Sequence, residues 1–304
     1  MANGRVEIVE VGPRDGLQNE PGVVETRDKI ALIERAIALG VRRIEVASFV
    51  NPKRVPQMAD AEAVIAGAPA RPGLTRIGLV LNQRGAERAL ATDVEELGAV
   101  AVATDTFAIR NQGQSSDESV AVAIEIVAMA KAAGRSAQVT LSAAFGCPFE
   151  GEVDPARIVA MAARVAEARP REIALADTIG CGVPAQVTAL VARVRSVIGD
   201  IPLRAHFHNT RNTGLANAWA AYLAGVTTLD ASLGGLGGCP FAPKATGNIP
   251  TEDLLFLLSR SGVETGLDLD GAIAAGQWLT DLMGRPLPAM VSRAGSFPPA
   301  VAAA

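Results

Sequence analysis

The chain has 304 residues, with 28 basic and 32 acidic side chains that give a formal net charge of -4 at pH 7. Because 49% of the residues are hydrophobic and 20% are charged, the composition predicts a folded globular protein and excludes intrinsic disorder. No long run of like charge occurs, so we expect neither a nucleic-acid partner nor binding to an anionic membrane surface.

Membrane insertion and disulfide bonding are also not expected. The longest uncharged stretch, between Arg211 and Asp230, contains two asparagines and two glycines that a membrane-spanning helix would avoid. The first residues pass directly into a strand pattern without a targeting signal, so we expect a cytoplasmic protein. The three cysteines, Cys147, Cys181 and Cys239, are too widely separated for a Cys-x-x-Cys motif, so any reactive thiol acts alone.

Eight short apolar runs recur along the chain, and each is followed by turn residues and then by a segment of helical period. Repeated strand-helix units predict a parallel sheet covered by helices. Eight units within roughly 250 residues favour a closed (β/α)8 TIM barrel over an open doubly wound sheet, which usually has five or six strands. The predicted strands are Val6–Val11, Arg43–Ala47, Arg76–Leu81, Ala99–Thr104, Ala137–Ser142, Glu172–Ala176, Pro202–Phe207 and Thr227–Ser232.

The helices are predicted from their caps and apolar stripes. In the dipeptide Asp154-Pro155, an N-cap residue precedes a proline at the first helical position, and apolar side chains then recur on one face. The segment Thr251–Arg260 is predicted to be the eighth barrel helix, and Asp270–Met283 one further helix.

No linker composition or second core separates these segments. We therefore expect a single catalytic domain over residues 1–304. Within it, the barrel is predicted to span about 5–262, and a short C-terminal helical extension 263–304.

Catalytic residues of such barrels lie at the carboxyl ends of the strands. Both histidines of the chain occur there, in the fragment HFH of the seventh strand. Alternate residues of a strand point to the same face, so His206 and His208 project together while Phe207 faces away. Two imidazoles with oxygen donors from other strands suit a divalent metal ion. The alternative is two packed histidines bonded to the backbone, but their shared face favours a metal site.

Three charged residues follow or interrupt the first two strands. Arg14 and Asp15 form either a solvated surface ion pair or, beside the two histidines, a third metal ligand and a fixed positive group for oxyanion charge. Glu45, within the apolar run IEVASF, is either a residue at the rim or the buried partner of a cation. We favour the buried partner.

A glycine-rich segment, GGLGGCPFAPKATGN, follows the eighth strand. A dinucleotide-binding fingerprint would run directly into a helix, whereas Cys239 is followed by Pro-Phe-Ala-Pro, which argues against that function. Glycines on both sides of a single cysteine predict a loop that closes over a bound substrate.

Five segments, in order and spanning nearly the whole chain, resemble the 3-hydroxy-3-methylglutaryl-CoA lyase family of metal-dependent barrel enzymes. The resemblance implies a homodimer that cleaves a 3-hydroxy-3-methylglutaryl-CoA-type thioester to acetyl-CoA and a keto acid, acetoacetate. Lys53, Arg54, Arg110 and Lys244 lie near the predicted top loops, and each is either an acyl-CoA contact or part of a solvated basic rim. The matching segments are VEVGPRDGLQNE, IEVASFVNPKRVPQM, ADTIGCGVP, HFHNT and GGLGGCPFAPKATGN.

The resemblance also implies residue roles. Arg14 would neutralise the enolate oxygen of the product, and Cys239 would be the loop thiol associated with catalysis. The base that removes the hydroxyl proton would be His206, Asp177 or a metal-bound hydroxide. In full, the implied catalytic residues are Arg14, Glu45, Asp177, His206 and Cys239, and the implied ligands of Mg2+ or Mn2+ are Asp15, His206, His208 and Asn248.

Three positions depart from the family pattern. Asn209 stands where the family usually has aspartate, and Gln138 and Thr140 stand where hydroxymethylglutaryl-CoA enzymes have arginine and tyrosine at the acyl pocket. These departures make citramalyl-CoA or a longer-branched glutaryl-CoA an alternative substrate. Two further alternatives are an aldolase or condensing enzyme acting on free keto acids, and a non-catalytic barrel that binds metal and acyl-CoA.

Overall fold

Eight parallel strands close into a barrel in sequence order in the computed structural model, which describes residues 4–238 and 247–298. The predicted (β/α)8 barrel is therefore confirmed. The strands are β1 (Glu7–Glu10), β2 (Arg43–Ser48), β3 (Thr75–Val80), β4 (Glu96–Val102), β5 (Ser136–Ser142), β6 (Ile173–Asp177), β7 (Leu203–Phe207) and β8 (Thr228–Ala231).

Closure of the barrel depends on the pairing of β1 with β8, where Glu7 lies opposite Thr228 and Glu10 opposite Ala231. The largest difference from the predicted boundaries is in β4, which begins at Glu96 instead of Ala99. An apolar run does not mark the start of this strand, because the strand begins with a charged residue. Glu96 is nevertheless buried, inside the barrel beside the Arg43 guanidinium.

The helices surround the barrel, and the two that were predicted near the carboxyl end are present. Among the described residues, no helix combines the length and apolar composition that a membrane crossing requires. The helices are α1 (Thr26–Ala38), α2 (Ala61–Gly67), α3 (Gln83–Leu90), α4 (Asp105–Gln112), α5 (Ser116–Ala132), α6 (Pro155–Glu167), α7 (Pro184–Ile198), α8 (Gly214–Leu223), α9 (Thr251–Arg260), α10 (Leu269–Met283) and α11 (Val291–Ala294).

The cap predicted for α6 is formed in the structure. The Asp154 carboxylate accepts a hydrogen bond from the backbone N–H of Ala156 at 2.8 Å, and Pro155 occupies the first turn, where its missing N–H costs nothing. Ile158, Ala162 and other apolar residues of one face are fully buried against the barrel. Local capping and the apolar stripe therefore fix where this helix begins and which side packs.

The amino-terminal end of the barrel interior contains a buried ion-pair network. The Arg43 guanidinium, 2% exposed, lies 2.7 Å from Glu96 Oε1 and 2.9 Å from Glu172 Oε1. Removal of one member would leave a buried charge unpaired, which typically destabilises a protein by about 3–5 kcal/mol. The network is structural, because it lies at the opposite end of the barrel from the strand ends that carry His208 and Asp15.

Two buried carboxylates hold the turn that follows β8. Glu10 Oε1 accepts from the backbone N–H of Leu233 at 2.9 Å, and its Oε2 accepts from the Thr251 hydroxyl at 2.6 Å. Both oxygens of Glu252 accept from the N–H of Gly234 at 3.0 Å. Burial raises the pKa of Glu10 to about 7 and that of Glu252 to about 8, against the hydrogen bonds that each accepts.

This pKa shift predicts a pH-dependent stability. Between the ordinary pKa of 4.5 and about 7, folded Glu10 keeps a proton that the unfolded chain releases, so the free energy of unfolding falls as pH rises. Between about pH 5.5 and pH 8, we expect the free energy of unfolding of Glu10→Gln to fall by about 2 kcal/mol less than that of the wild type. Urea unfolding without added metal measures it. The exposed-site variant Glu167→Gln should retain the wild-type slope, and an equal slope in Glu10→Gln would refute the assignment.

Candidate active site

Three potential metal ligands meet at the carboxyl ends of β1 and β7. Asp15 Oδ2 lies 3.9 Å from His206 Nε2 and 3.8 Å from His208 Nε2, and one donor atom from each residue lies within 4.8 Å of the others. Asp15 lies in a short π-helical turn, Gly12–Gly16, directly after β1. The two histidines share a face of β7, as their spacing predicted. The three donor atoms are therefore close enough to share one cation.

A fourth predicted ligand, Asn248, reaches the same place through a short backbone bridge to His208. Its side-chain Nδ2 donates to Asp15 Oδ2 at 2.9 Å, whereas its Oδ1 is buried and has no hydrogen-bond partner among the described residues. A buried amide oxygen without a donor is costly unless something else satisfies it. Two imidazoles, a carboxylate and an orphaned amide oxygen fit the donor set that a divalent ion such as Mg2+ or Mn2+ accepts.

The electrostatics of the cluster favour a charged carboxylate. Burial by itself would raise the pKa of Asp15, but the Arg14 guanidinium and the two imidazoles outweigh it and hold that pKa well below its usual range. Burial would lower the pKa of His206, but the hydrogen bond to Asp230 Oδ2, 3.0 Å from Nδ1, together with the charges of nearby carboxylates outweighs burial and raises it. Asp230 therefore acts on the ring nitrogen that faces away from the cluster.

Arg14 is held beside the cluster by two carboxylates. Its Nε lies 2.8 Å from Glu45 Oε2, and its Nη1 lies 2.6 Å from Asp15 Oδ1. The interpretation of Glu45 as the buried partner of a cation is therefore confirmed, because its side chain is only 3% exposed. These contacts fix a guanidinium at the wall of the cavity, where it can face a developing negative charge.

A cavity opens above this cluster, and its two sides differ in chemistry. One side carries Arg14, Asp15, His206 and His208. The other mixes apolar side chains with hydroxyl and amide groups. It carries Leu79, Val100, Phe107 and Ala176 together with Asn111, Thr140, Ser142 and Thr178. Arg14 is the one Lys or Arg side chain among the described residues that line the cavity.

The two departures on β5 lie at different depths. Thr140 lines the cavity, as its position predicted. Gln138 does not line it: this side chain is fully buried one layer below, where its Oε1 lies 3.2 Å from the Thr140 hydroxyl and its Nε2 has no partner among the described residues. The expectation that Gln138 lines the pocket is therefore wrong, because alternate residues of a tilted strand enter successive layers of the barrel.

Asn209, at the position where the family usually has aspartate, does not orient a metal ligand. Its Oδ1 accepts from the backbone N–H of Gly214 at 3.0 Å, at the first residue of α8. His208 Nδ1 is buried and has no hydrogen-bond partner among the described residues. Among the described residues, no carboxylate therefore contacts this second nitrogen of the ring.

The structure does not bring Asp177 into the cavity. Its Oδ1 accepts from the backbone N–H of Cys181, and its Oδ2 from that of Gly182, both at 2.9 Å. Burial, together with the neighbouring Asp177 carboxylate, raises the pKa of the Cys181 thiol to about 12. Asp177 therefore stabilises a turn after β6.

The other two cysteines are Cys147 and Cys239. Cys147 is buried, and its sulfur accepts from the Thr104 hydroxyl at 3.0 Å, which is the contact of a structural thiol. Cys239 lies outside the described residues, so its predicted catalytic role stays a prediction. Its neighbour in sequence, Gly238, lines the cavity.

Sequence analysis missed Arg204 and Asp230, two buried charges that support the site. A signal for each was present. Arg204 precedes His206 and His208 at the same two-residue spacing in the fragment RAHFH, so it shares their face. Asp230 is the one charged residue within the apolar eighth strand, a pattern that did draw attention to Glu45.

Comparison with known proteins identifies the family of the chain. The HMGL-like family model matches residues 5–278. A (R)-citramalyl-CoA lyase of Chloroflexus aurantiacus is 45% identical, with 97% of this chain and 96% of that protein covered. A 3-hydroxy-3-isohexenylglutaryl-CoA/hydroxy-methylglutaryl-CoA lyase of Pseudomonas aeruginosa is 40% identical, covering 92% and 94%.

A solved structure is also similar to this chain. The HMG-CoA lyase of Acinetobacter baumannii, in complex with coenzyme A and 3-methylmalate, superimposes with a TM-score of 0.93 at 39% identity, covering 97% of this chain and 96% of that one. The fold and site therefore define a carbon–carbon lyase barrel. The chain belongs to the HMGL-like family, as its sequence motifs predicted.

The cluster predicts where a cation binds. We expect the variant Asp15→Asn to weaken Mn2+ affinity at least about a hundredfold, because it removes the carboxylate and its charge from the donor set. Titration of free Mn2+ by electron paramagnetic resonance measures this. The variant Asp177→Asn is the matched control: it changes a buried carboxylate outside the cavity and should leave Mn2+ affinity within about twofold. Equal affinity in Asp15→Asn and the wild type would exclude the site.

Proposed function

We propose that the protein is a divalent-metal-dependent lyase that splits a 3-hydroxy-3-methyl dicarboxylic acyl-CoA into acetyl-CoA and a keto acid. The observation that carries this proposal is the convergence of three potential metal donors, Asp15, His206 and His208, and the Arg14 guanidinium at one cavity wall. Asn248 is hydrogen-bonded to Asp15 beside them. Cleavage of such a thioester needs a group that acidifies the tertiary hydroxyl and another that stabilises the departing enolate.

Different residues serve the acidification of the hydroxyl and the stabilisation of the enolate. A bound Mg2+ or Mn2+ supplies Lewis acidity toward the substrate hydroxyl and carboxylate. Asp15, His206, His208 and Asn248 would hold it. Arg14, fixed by Glu45, donates hydrogen bonds to the thioester oxygen as that oxygen becomes an enolate, an effect of several kcal/mol in a water-poor site.

Proton transfer involves groups on both sides of the bond that breaks. His206 Nδ1 already has an acceptor in Asp230, which would stabilise an imidazolium, but a nitrogen that binds metal cannot also accept a proton. His206 would therefore accept the hydroxyl proton only when its Nε2 is free. With Nε2 on the cation, the proton would pass to a hydroxide that the cation supplies. Return of a proton to the enolate carbon is assigned to Cys239, which directly follows the cavity residue Gly238.

Citramalyl-CoA is the substrate we favour within this class over 3-hydroxy-3-methylglutaryl-CoA. With Arg14 assigned to the enolate, no second Lys or Arg among the described cavity residues is available for a distant carboxylate. Citramalyl-CoA carries its carboxylate on the carbinol carbon, so hydroxyl and carboxylate can both reach the cation. Its methyl group can contact Leu79 and the methyl group of Thr140. The similarity to a citramalyl-CoA lyase supports the same choice.

A second groove supports an acyl-CoA substrate. It joins the cavity through residues common to both, Gln18, Asn19, Leu81 and Asn111, and extends outward to Arg54 and Arg110. A groove that begins at the reacting centre and ends at two guanidinium groups suits a pantetheine arm followed by phosphates.

The proposal predicts activity on a defined panel. With Mg2+ or Mn2+, we expect acetyl-CoA release from citramalyl-CoA with kcat/KM about tenfold above that for 3-hydroxy-3-methylglutaryl-CoA, a difference of about one methylene in binding. Chelation by EDTA should abolish release, and added Mn2+ should restore it. Absence of cleavage with every 3-hydroxyacyl-CoA tested would exclude the proposal. Undiminished cleavage of the free acids would instead indicate an aldolase.

The groove makes a separate prediction. We expect Arg54→Ala to raise KM for the thioester about fivefold with little change in kcat, because a phosphate contact at an exposed site contributes about 1 kcal/mol to binding. Steady-state kinetics measures both constants. Lys53, the adjacent exposed cation, does not line the groove, so Lys53→Ala is the matched control and should leave KM unchanged. An equal effect of the two variants would contradict a specific contact at Arg54.

A further inference from the structure

Arg204 lies below the cavity, on the same face of β7 as His206 and His208. Its side chain is only 1% exposed, and it does not line the cavity. Burial of a guanidinium is costly unless carboxylates compensate it, so its partners identify its role.

Arg204 has two carboxylate partners on different strands. Its Nε donates to Asp230 Oδ1 of β8, and its Nη2 lies 3.5 Å from Glu45 Oε1 of β2. One planar guanidinium therefore spans the barrel between two strands that are not neighbours in the sheet. A lysine ammonium has a single nitrogen and cannot reproduce this fork.

Each of these carboxylates uses its other oxygen for a residue of the site. Asp230 Oδ2 lies 3.0 Å from His206 Nδ1, and Glu45 Oε2 lies 2.8 Å from Arg14 Nε. Arg204 thus fixes the plane of both carboxylates. Asp230 in turn orients the imidazole of His206, and Glu45 orients the guanidinium of Arg14.

We propose that Arg204 is a positioning residue that holds His206 and Arg14 in register through Asp230 and Glu45. The expected effect on kcat rests on the proposed function. The expected effect on cation affinity concerns the cation site alone. A side chain that orients a metal ligand from behind commonly changes metal affinity about 10–100-fold when it is replaced.

A simple charge-balance role makes the opposite prediction. Around the site, Arg14 and Arg204 face Asp15, Glu45 and Asp230, which leaves one excess negative charge with neutral imidazoles. Replacement of Arg204 by a neutral residue leaves two, and this increase alone would tighten cation binding. Positioning predicts weaker binding instead, because Asp230 and Glu45 lose the contact that orients them.

Arg43 provides a matched control. It is also a buried guanidinium of the barrel interior and is paired with three carboxylates, those of Glu7, Glu96 and Glu172. Among the described residues, these carboxylates form no hydrogen bond or ion pair with a residue of the site. Arg43→Lys therefore disturbs a comparable ion pair without changing the support of His206 or Arg14.

The experiment compares Arg204→Lys, Arg204→Met and Arg43→Lys with the wild type. For Arg204→Lys we expect Mn2+ dissociation constants to rise about tenfold and kcat to fall about a hundredfold, with KM within about threefold. Pulsed electron paramagnetic resonance of bound Mn2+ should show weaker nitrogen modulation, since the His206 imidazole is no longer fixed. Arg43→Lys should lower only the thermal unfolding temperature.

Two results would overturn the proposal. One is Mn2+ affinity and nitrogen modulation in Arg204→Lys that match those of Arg43→Lys. The other is tighter Mn2+ binding in Arg204→Met, which would assign Arg204 to charge balance. If Arg204→Met does not fold, Arg204→Lys alone decides. A wild type that binds Mn2+ but cleaves no thioester would exclude the proposed function and leave the Mn2+ comparison intact.

Discussion

Exclusion of water from the barrel interior is the constraint on which the rest of the structure depends. Closure by β1 and β8 leaves no sheet edge, and it turns every second residue of each strand toward a common axis. Charged side chains on that axis persist only in pairs, because an unpaired buried charge costs several kcal/mol. Arg43, Arg204 and Arg14 meet this requirement, because each is paired with at least two carboxylates.

The same requirement explains the shape of the site. A carboxylate has two oxygens, so a buried one can satisfy an arginine below it and orient another group above it. Asp230 and Glu45 both do this, one toward His206 and the other toward Arg14. For Arg204, burial and the geometry of the site are therefore connected, because the carboxylates that pair with it also contact His206 and Arg14.

The cavity mouth is organised by segments after the strands rather than by the strands themselves. Residues 247–250 run back across the ends of β7 and β8, where His208 pairs with Asn248 and Ser232 with Pro250. Glu10 and Glu252 hold the intervening turn from the outside of the barrel. The two sides of the cavity then differ: the potential metal ligands lie on one side, and apolar side chains mixed with hydroxyl and amide groups lie on the other.

The sequence alone determined the eight strand-helix units, the shared face of His206 and His208, and the family, because these follow from periodicity and from motifs within short segments. It also indicated the donor set that includes Asp15. Tertiary structure decided what periodicity cannot express, namely distances between strands and depth along the barrel axis. It placed Thr140 at the cavity and Gln138 below it, and it turned Asp177 toward backbone N–H groups. It also joined Arg204 to two distant strands, since only the closed barrel brings β2, β7 and β8 around one guanidinium.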